Sequence, residues 1–140
     1  MDADMMKSGL TGLLGLEVTQ MTRDAVTVTA EVTEALHQPH GLLHGGVHCT
    51  LAETAASIGA QLWLGSDGVV VGVSNHTDFL RGMKRGRLEA HATPIHRGRL
   101  QQLWQVDIHD GQQRLVATGK VRLQNLTGRR HPDAVPRDDG

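Results

Sequence analysis

The residues best equipped for chemistry fall in one stretch, Gln38 to Ser57, which reads QPHGLLHGGVHCTLAETAAS. Gly45 and Gly46 stand where a long apolar-periodic segment begins. The first N–H groups of a helix lack intrahelical partners and lie at the positive end of its dipole. Glycine there lets a ligand carbonyl approach the backbone closely, which is the geometry of an oxyanion hole. Glu53 follows two helical turns later, with Thr50 and Ser57 on the same flank. A wheel places it well away from the Leu51/Ile58 stripe, so it should line a crevice or an interface. Each signal alone also has an ordinary reading. A lone Glu on a helix flank is usually solvated surface, and a Gly-Gly pair can simply join a loop to a helix.

Other reactive side chains are less telling. His40, His44 and His48 are spaced four apart, as metal ligands on one helix face would be. Pro39, Gly41, Gly45 and Gly46 argue against a helix through all three, so imidazoles in a ligand-facing loop are expected and no metal. Cys49 has no adjacent base and reads as a small buried hydrophobe. His76 and Asp78 share one face of a strand, a commonplace pairing.

These residues need elements to position them. Val26, Val28, Ala30 and Val32 alternate with polar residues over Ala25–Thr33, predicting a strand with Leu16–Gln20 as hairpin partner. Glu34 to Gly46 reads as loop. The pattern Val47, Leu51, Ala55, Ile58, Leu62 predicts a helix from Gly46 to Leu64, ended by Gly65-Ser66-Asp67-Gly68. Small Ala52, Ala56 and Gly59 would let a sheet wrap closely around it. Strands are expected at Val69–Phe79, Arg87–His96, Arg99–His109 and Arg114–Leu126, with Asp110-Gly111 as a hairpin signal. In the third of these, Leu100, Gln102, Trp104, Val106 and Ile108 should share a face. The whole predicts an α+β domain over residues 16–127: a curved antiparallel sheet around one long central helix. Residues 1–15 form a lead-in, with a helical turn or two around Leu10 to Leu14, and residues 128–140 a polar tail expected to be disordered. The sheet edges need covering, and a second copy is one way to cover them.

Composition excludes several functions. A 140-residue chain with 39% hydrophobic and 21% charged residues can bury a real core. A formal net charge of −1 argues against nucleic acid as the main partner, and Phe79, Trp63 and Trp104 make no base-stacking platform. No apolar run is long enough for a membrane helix and no signal peptide is read at the N-terminus. The single Cys49 leaves no intrachain disulfide, so a cytoplasmic location is expected.

The stretch GLLHGGVHCTLAETAAS resembles the signature of the PaaI-like hotdog-fold acyl-CoA thioesterases, the group that includes 4-hydroxybenzoyl-CoA and 1,4-dihydroxy-2-naphthoyl-CoA thioesterases. The likeness continues through VVVGVSNHTDFLRGMKRGRL and HRGRLQQLWQVDIHDGQQRLVATGKVRL, from Leu16 to Leu126. It implies a hotdog fold and hydrolysis of acyl-CoA to free acid and CoA, without a cofactor. Glu53 would be the nucleophile or general base, and the Gly45 N–H, beside Gly46, would polarise the thioester carbonyl. Gln38 matches the position that holds the thioester or the attacking water, His44 one bordering the leaving group, and Ser57 one that orients the acyl group or water. Phe79 falls where some relatives carry a histidine, which removes a polar contact to a hydroxylated aromatic acyl group.

For CoA itself, Arg81, Lys84, Arg85 and Arg87 are candidate phosphate contacts. The turn Arg97-Gly98-Arg99 resembles the one near pantetheine and nucleotide in relatives. The resemblance also implies a homotetramer of two hotdog dimers, each active site lying between subunits. Gln38 and Gly45 of one chain would then act with Glu53 of the other. A non-catalytic acyl-CoA sensor or binding module on the same fold is the alternative. A hydratase would need an Asp/His pair placed differently.

Overall fold

The computed structural model describes residues 3–128. The expectation of a disordered tail therefore falls, apart from Gly128, outside the described residues. A 3-10 turn (Ala3–Lys7) and a short helix α1 (Gly9–Leu13) lead into strands β1 (Glu17–Met21) and β2 (Val26–Val32). The long helix α2 (Gly45–Leu64) follows, then β3 (Gly68–Phe79), β4 (Gly86–Arg97), β5 (Gln101–Asp110) and β6 (Leu115–Thr127). All neighbouring strands are antiparallel, and the single six-stranded sheet runs β1-β2-β4-β5-β6-β3. The sheet curves around α2, which is the hotdog arrangement the resemblance implies.

The reason is visible in side-chain size. Helix α2 buries Val47, Leu51, Ala55 and Ile58, and beside them Ala52, Ala56, Gly59 and Ala60. Leu62 is only partly buried. Small residues let the strands approach the helix closely, and the indole of Trp104 on β5 fills the room at Gly59. A Cβ on Gly59 would come within 2.6 Å of that ring. Trp104, Val106, Ile108, Leu88, Val121 and Leu123 are fully buried. Burial of each large side chain is worth about 1.5–3 kcal/mol. Among the described residues no helix is long and apolar enough to cross a membrane.

Three local expectations are corrected. The helix begins at Gly45, one residue early, because the His44 side chain caps it by accepting from the Gly46 N–H at 2.8 Å. The preceding loop is not featureless: it holds a 3-10 turn at Glu34–Leu36 and a bridge between His37 and Leu43. Leu100 lies before β5 and is exposed, so it does not join Gln102 and Trp104 in the core. The expected Asp110-Gly111 hairpin forms, with Gln113 in the left-handed region at φ 62°. Asp110 caps the turn, accepting from the Gln112 and Arg114 N–H groups at 2.9 and 3.0 Å and from Arg114 Nε at 2.7 Å. Those donors, the Arg114 backbone N–H foremost, hold its carboxyl below the usual range.

Strand β3 forms one edge of the sheet, and it is irregular. The register to β6 shifts between Gly72 and Ser74, so Val73 is an extra, bulged residue. Val71 and Val73 are exposed along this long edge.

Buried His48 lies on α2, 3% exposed, and its Nδ1 has no hydrogen-bond partner among the described residues. Burial pushes its pKa down to about 4, because a proton there would leave a charge without water or a counter-ion.

Two stability predictions follow from this packing. Gly59→Val should cost about 2–3 kcal/mol in urea unfolding, since the fully buried Trp104 cannot yield. Because the unfolded chain's His48 binds a proton below about 6.5 and the folded one only below about 4, its contribution is present above pH 6.5 and is lost as pH falls toward 4. Unfolding curves across that window should show a loss of about 3 kcal/mol that His48→Leu removes.

Candidate active site

The N-terminus of α2 is held by two neighbouring segments. Leu43 N–H donates to the Met83 carbonyl at 2.7 Å and His44 N–H to Leu36 O at 2.9 Å. A ring nitrogen of His37 meets Lys84 O at 2.7 Å, so the loop before the helix and the β3–β4 connection are laced together. With Gly46 N–H given to His44, and Val47 N–H to the His44 carbonyl, the Gly45 N–H makes no cap or loop hydrogen bond among the described residues. The Phe79 ring lies against the Gly45 Cα, where a Cβ would overlap it. It also stacks on His48 with ring centroids 5.7 Å apart and remains 54% exposed. Gln38 is half-buried in the adjoining loop, its side-chain oxygen accepting from the His40 N–H.

The Glu53 carboxylate has a built seat. Its Oε1 lies over the Cα of Gly72, where any Cβ would overlap it. Its Oε2 accepts from Asn75 Nδ2 at 3.1 Å, and the same amide donates to Cys49 O at 3.0 Å, one helical turn earlier. Thr77 Oγ1 donates to Asn75 Oδ1 at 2.7 Å. The bulge at Val73 explains how Gly72 and Asn75 both meet the helix. Without it, residues of opposite parity on β3 would face opposite sides. The face of Asn75, Thr77 and Phe79 is thereby turned toward α2. His76 and Asp78 are paired at 3.5 Å on the other, solvated face. Ser57 is half-buried one turn beyond Glu53.

The arginines divide. Arg97 is engaged by its own chain: Nη1 donates to Arg23 O at 2.9 Å and to Asp24 Oδ1 at 2.8 Å, and its guanidinium covers the Trp63 ring at 5.7 Å. That places it at the C-terminal end of α2, which is about 30 Å long and begins at Gly45. Gly98 packs on His96, and the turn is held from within by Asn125, whose Nδ2 donates to Gly98 O at 2.9 Å and Arg99 O at 3.2 Å. Asn125 Oδ1 in turn accepts from Gln102, whose own oxygen accepts from the Trp104 indole. Arg81, Lys84, Arg85 and Arg99 are exposed, and Arg87 approaches Glu31 at 3.7 Å.

Within one chain, then, the helix N-terminus gathers His44, Gly45, Gly46, Phe79 and the Gln38 loop, while Glu53 sits against Gly72 and Asn75 of β3. The eight-residue step from Gly45 to Glu53 is about 12 Å along the helix. His40 and His44 precede the helix, so His40, His44 and His48 do not line one helical face. Sequence reasoning missed Gly72, Asn75 and Thr77. A glycine inside a valine-rich strand, followed by Asn-x-Thr, was the available signal.

The thioesterase superfamily profile matches residues 40–117. Among curated relatives, the 1,4-dihydroxy-2-naphthoyl-CoA hydrolase of Listeria monocytogenes is 38% identical over 115 residues, 82% of this chain and 94% of that one. Of solved structures, S. sahachiroi AziG superposes with a TM-score of 0.83 at 47% identity, covering 86% of this chain and 98% of its own. A Haemophilus influenzae thioesterase gives 0.85 at 33%, covering 89% and 87%. With the matched span taking in Gly45, Glu53, Gly72 and Asn75, the chain belongs to the thioesterase superfamily.

Proposed function

We propose that this chain hydrolyses acyl-CoA thioesters, with Glu53 as the reacting carboxylate and the Gly45 N–H of a second copy as the oxyanion donor. The observation that carries the reading is the seat of Glu53, a half-buried carboxylate held against bare strand backbone and a side-chain amide. A surface glutamate has no need of such a fitting. Thioesters lack strong resonance stabilisation, so a polarised carbonyl and one placed carboxylate suffice. As nucleophile, Glu53 would bond to the carbonyl carbon while the C–S bond breaks and CoA leaves as thiolate. Water would then attack the glutamyl carbonyl of the acyl-glutamyl anhydride, releasing the free acid and leaving the water oxygen in the Glu53 carboxylate. As general base it would take a proton from the attacking water instead. Single-turnover hydrolysis in labelled water, followed by mass analysis of the Glu53 peptide, separates the two by label in the carboxylate.

The two-chain site is supported by the roughly 12 Å axial step between residues Gly45 and Glu53 and by the long exposed edge of β3, next to which Glu53 is seated. Antiparallel pairing of β3 with a second β3 would cover that edge. Gln38 and His44 of one chain would then border the thioester held by Glu53 of the other, with Ser57 and Phe79 facing the acyl group. Arg81 and Arg99 would reach the CoA phosphates. Two such dimers would make the tetramer. Phe79 offers no hydrogen bond, which suits an acyl group without a hydroxyl at that point.

CoA release across short-chain, medium-chain and aromatic acyl-CoAs should be lost by at least a hundredfold in Glu53→Ala, with the fold and substrate binding retained. Equal rates would rule out Glu53. Binding without turnover in the wild type would leave a non-catalytic module. Co-expression of Glu53→Ala with Gln38→Ala, each crippled alone, should restore about a quarter of wild-type activity, since about half of the pairs are mixed and each mixed pair has one intact site. No recovery, or a monomer in sedimentation, would overturn the shared site.

A further inference from the structure

We infer that Asn75 is a positioning residue that holds the Glu53 carboxylate in its reacting orientation, and that the bulge at Val73 exists to aim it. This rests on the reading of Glu53 as the reacting carboxylate, and reaches beyond it to a residue on another element.

The hydrogen bonds determine which way the amide points. Nδ2 faces two oxygens that can only accept, Cys49 O at 3.0 Å and Glu53 Oε2 at 3.1 Å. Oδ1 faces the Thr77 hydroxyl at 2.7 Å. A flipped amide would set oxygen against two acceptors, so only one orientation satisfies all three contacts. Both N–H bonds of the amide are used, one on the helix backbone and one on the carboxylate. The amide therefore measures the carboxylate's position from the helix's own turn. Thr77 is itself backed by Gly119 on β6, where a Cβ would come within 2.5 Å of its hydroxyl. Gly72 supports the other carboxylate oxygen. Strand parity alone would not present Gly72 and Asn75 to one side chain; the register shift after Gly72 does. With Oε2 tethered, Glu53 gives up its other rotamers before substrate arrives, and misplacement of a reacting group by about 1 Å can cost on the order of a hundredfold in rate.

A residue that merely ties β3 to α2 would affect stability, not the chemical step. The experiment is steady-state hydrolysis of the best acyl-CoA by the full chain, with Glu53→Gln, Asn75→Ala, Asn75→Asp, Thr77→Val and Thr77→Ser in parallel, each checked by circular dichroism. Asn75→Ala should lower kcat about tenfold or more with KM within about twofold. Asn75→Asp keeps the shape but sets two acceptor oxygens against each other, and should lose more than Asn75→Ala. Thr77→Val should fall in kcat, and Thr77→Ser should restore most of that loss. If Glu53→Gln is dead while both Asn75 variants keep wild-type kcat, the positioning role is wrong and the reading of Glu53 stands. If Glu53→Gln turns over normally, the reading of Glu53 itself fails. Should the Asn75 variants not fold, Thr77→Val decides, and wild-type kcat there overturns the inference.

Discussion

The close approach of α2 to the sheet is the constraint on which the rest of this molecule depends. Three glycines set it. Gly59 admits the Trp104 ring from β5, Gly45 admits the Phe79 ring from the end of β3, and Gly72 admits the Glu53 carboxylate onto the strand backbone. Two of them lie on the helix and one on the sheet, spread along the helix from its first turn to its last third. Together they limit how far the helix can slide or rotate, most firmly at Gly59, where the Trp104 ring is fully buried. Interiors packed to crystal-like density transmit position over such distances.

Polar contacts then add direction to what packing brings near. The buried Trp104 indole, Gln102 and Asn125 form a hydrogen-bonded line from the core to the turn at Gly98, and Gln102 also donates to the Ala60 carbonyl of α2. Asn75 makes the corresponding link between β3 and the middle of the helix. Such networks are stabilising only when every member is satisfied, and these carry their satisfaction out to loops and to a carboxylate. His48 is the exception. It is an imidazole kept neutral by burial, contributing a ring face to Phe79 instead of a charge.

The same helix that positions the groups also separates them. The N–H groups of its first turn and the backbone of Glu53 lie about 12 Å apart along its axis. The strand that seats Glu53 is also an edge strand, with one side of its backbone unpaired in the sheet.

Much was legible in the residues alone. The order of helix and strands, the capacity of α2 to be wrapped closely, and the placing of the Gly45-Gly46 pair at the start of the helix that carries Glu53 all follow from local pattern, which any segment carries within itself. The thioesterase likeness was carried by the same stretch. What tertiary structure decided are the facts that depend on a neighbour far along the chain. Whether Leu100 joins the core depended on where β5 begins. Arg97 being held by Asp24 and Trp63 depended on the strand's place in the sheet. The facing direction of Asn75 depended on a single bulged residue, because one extra residue inverts every side chain after it. Local pattern determined which elements form; only packing between distant segments decided what each side chain meets.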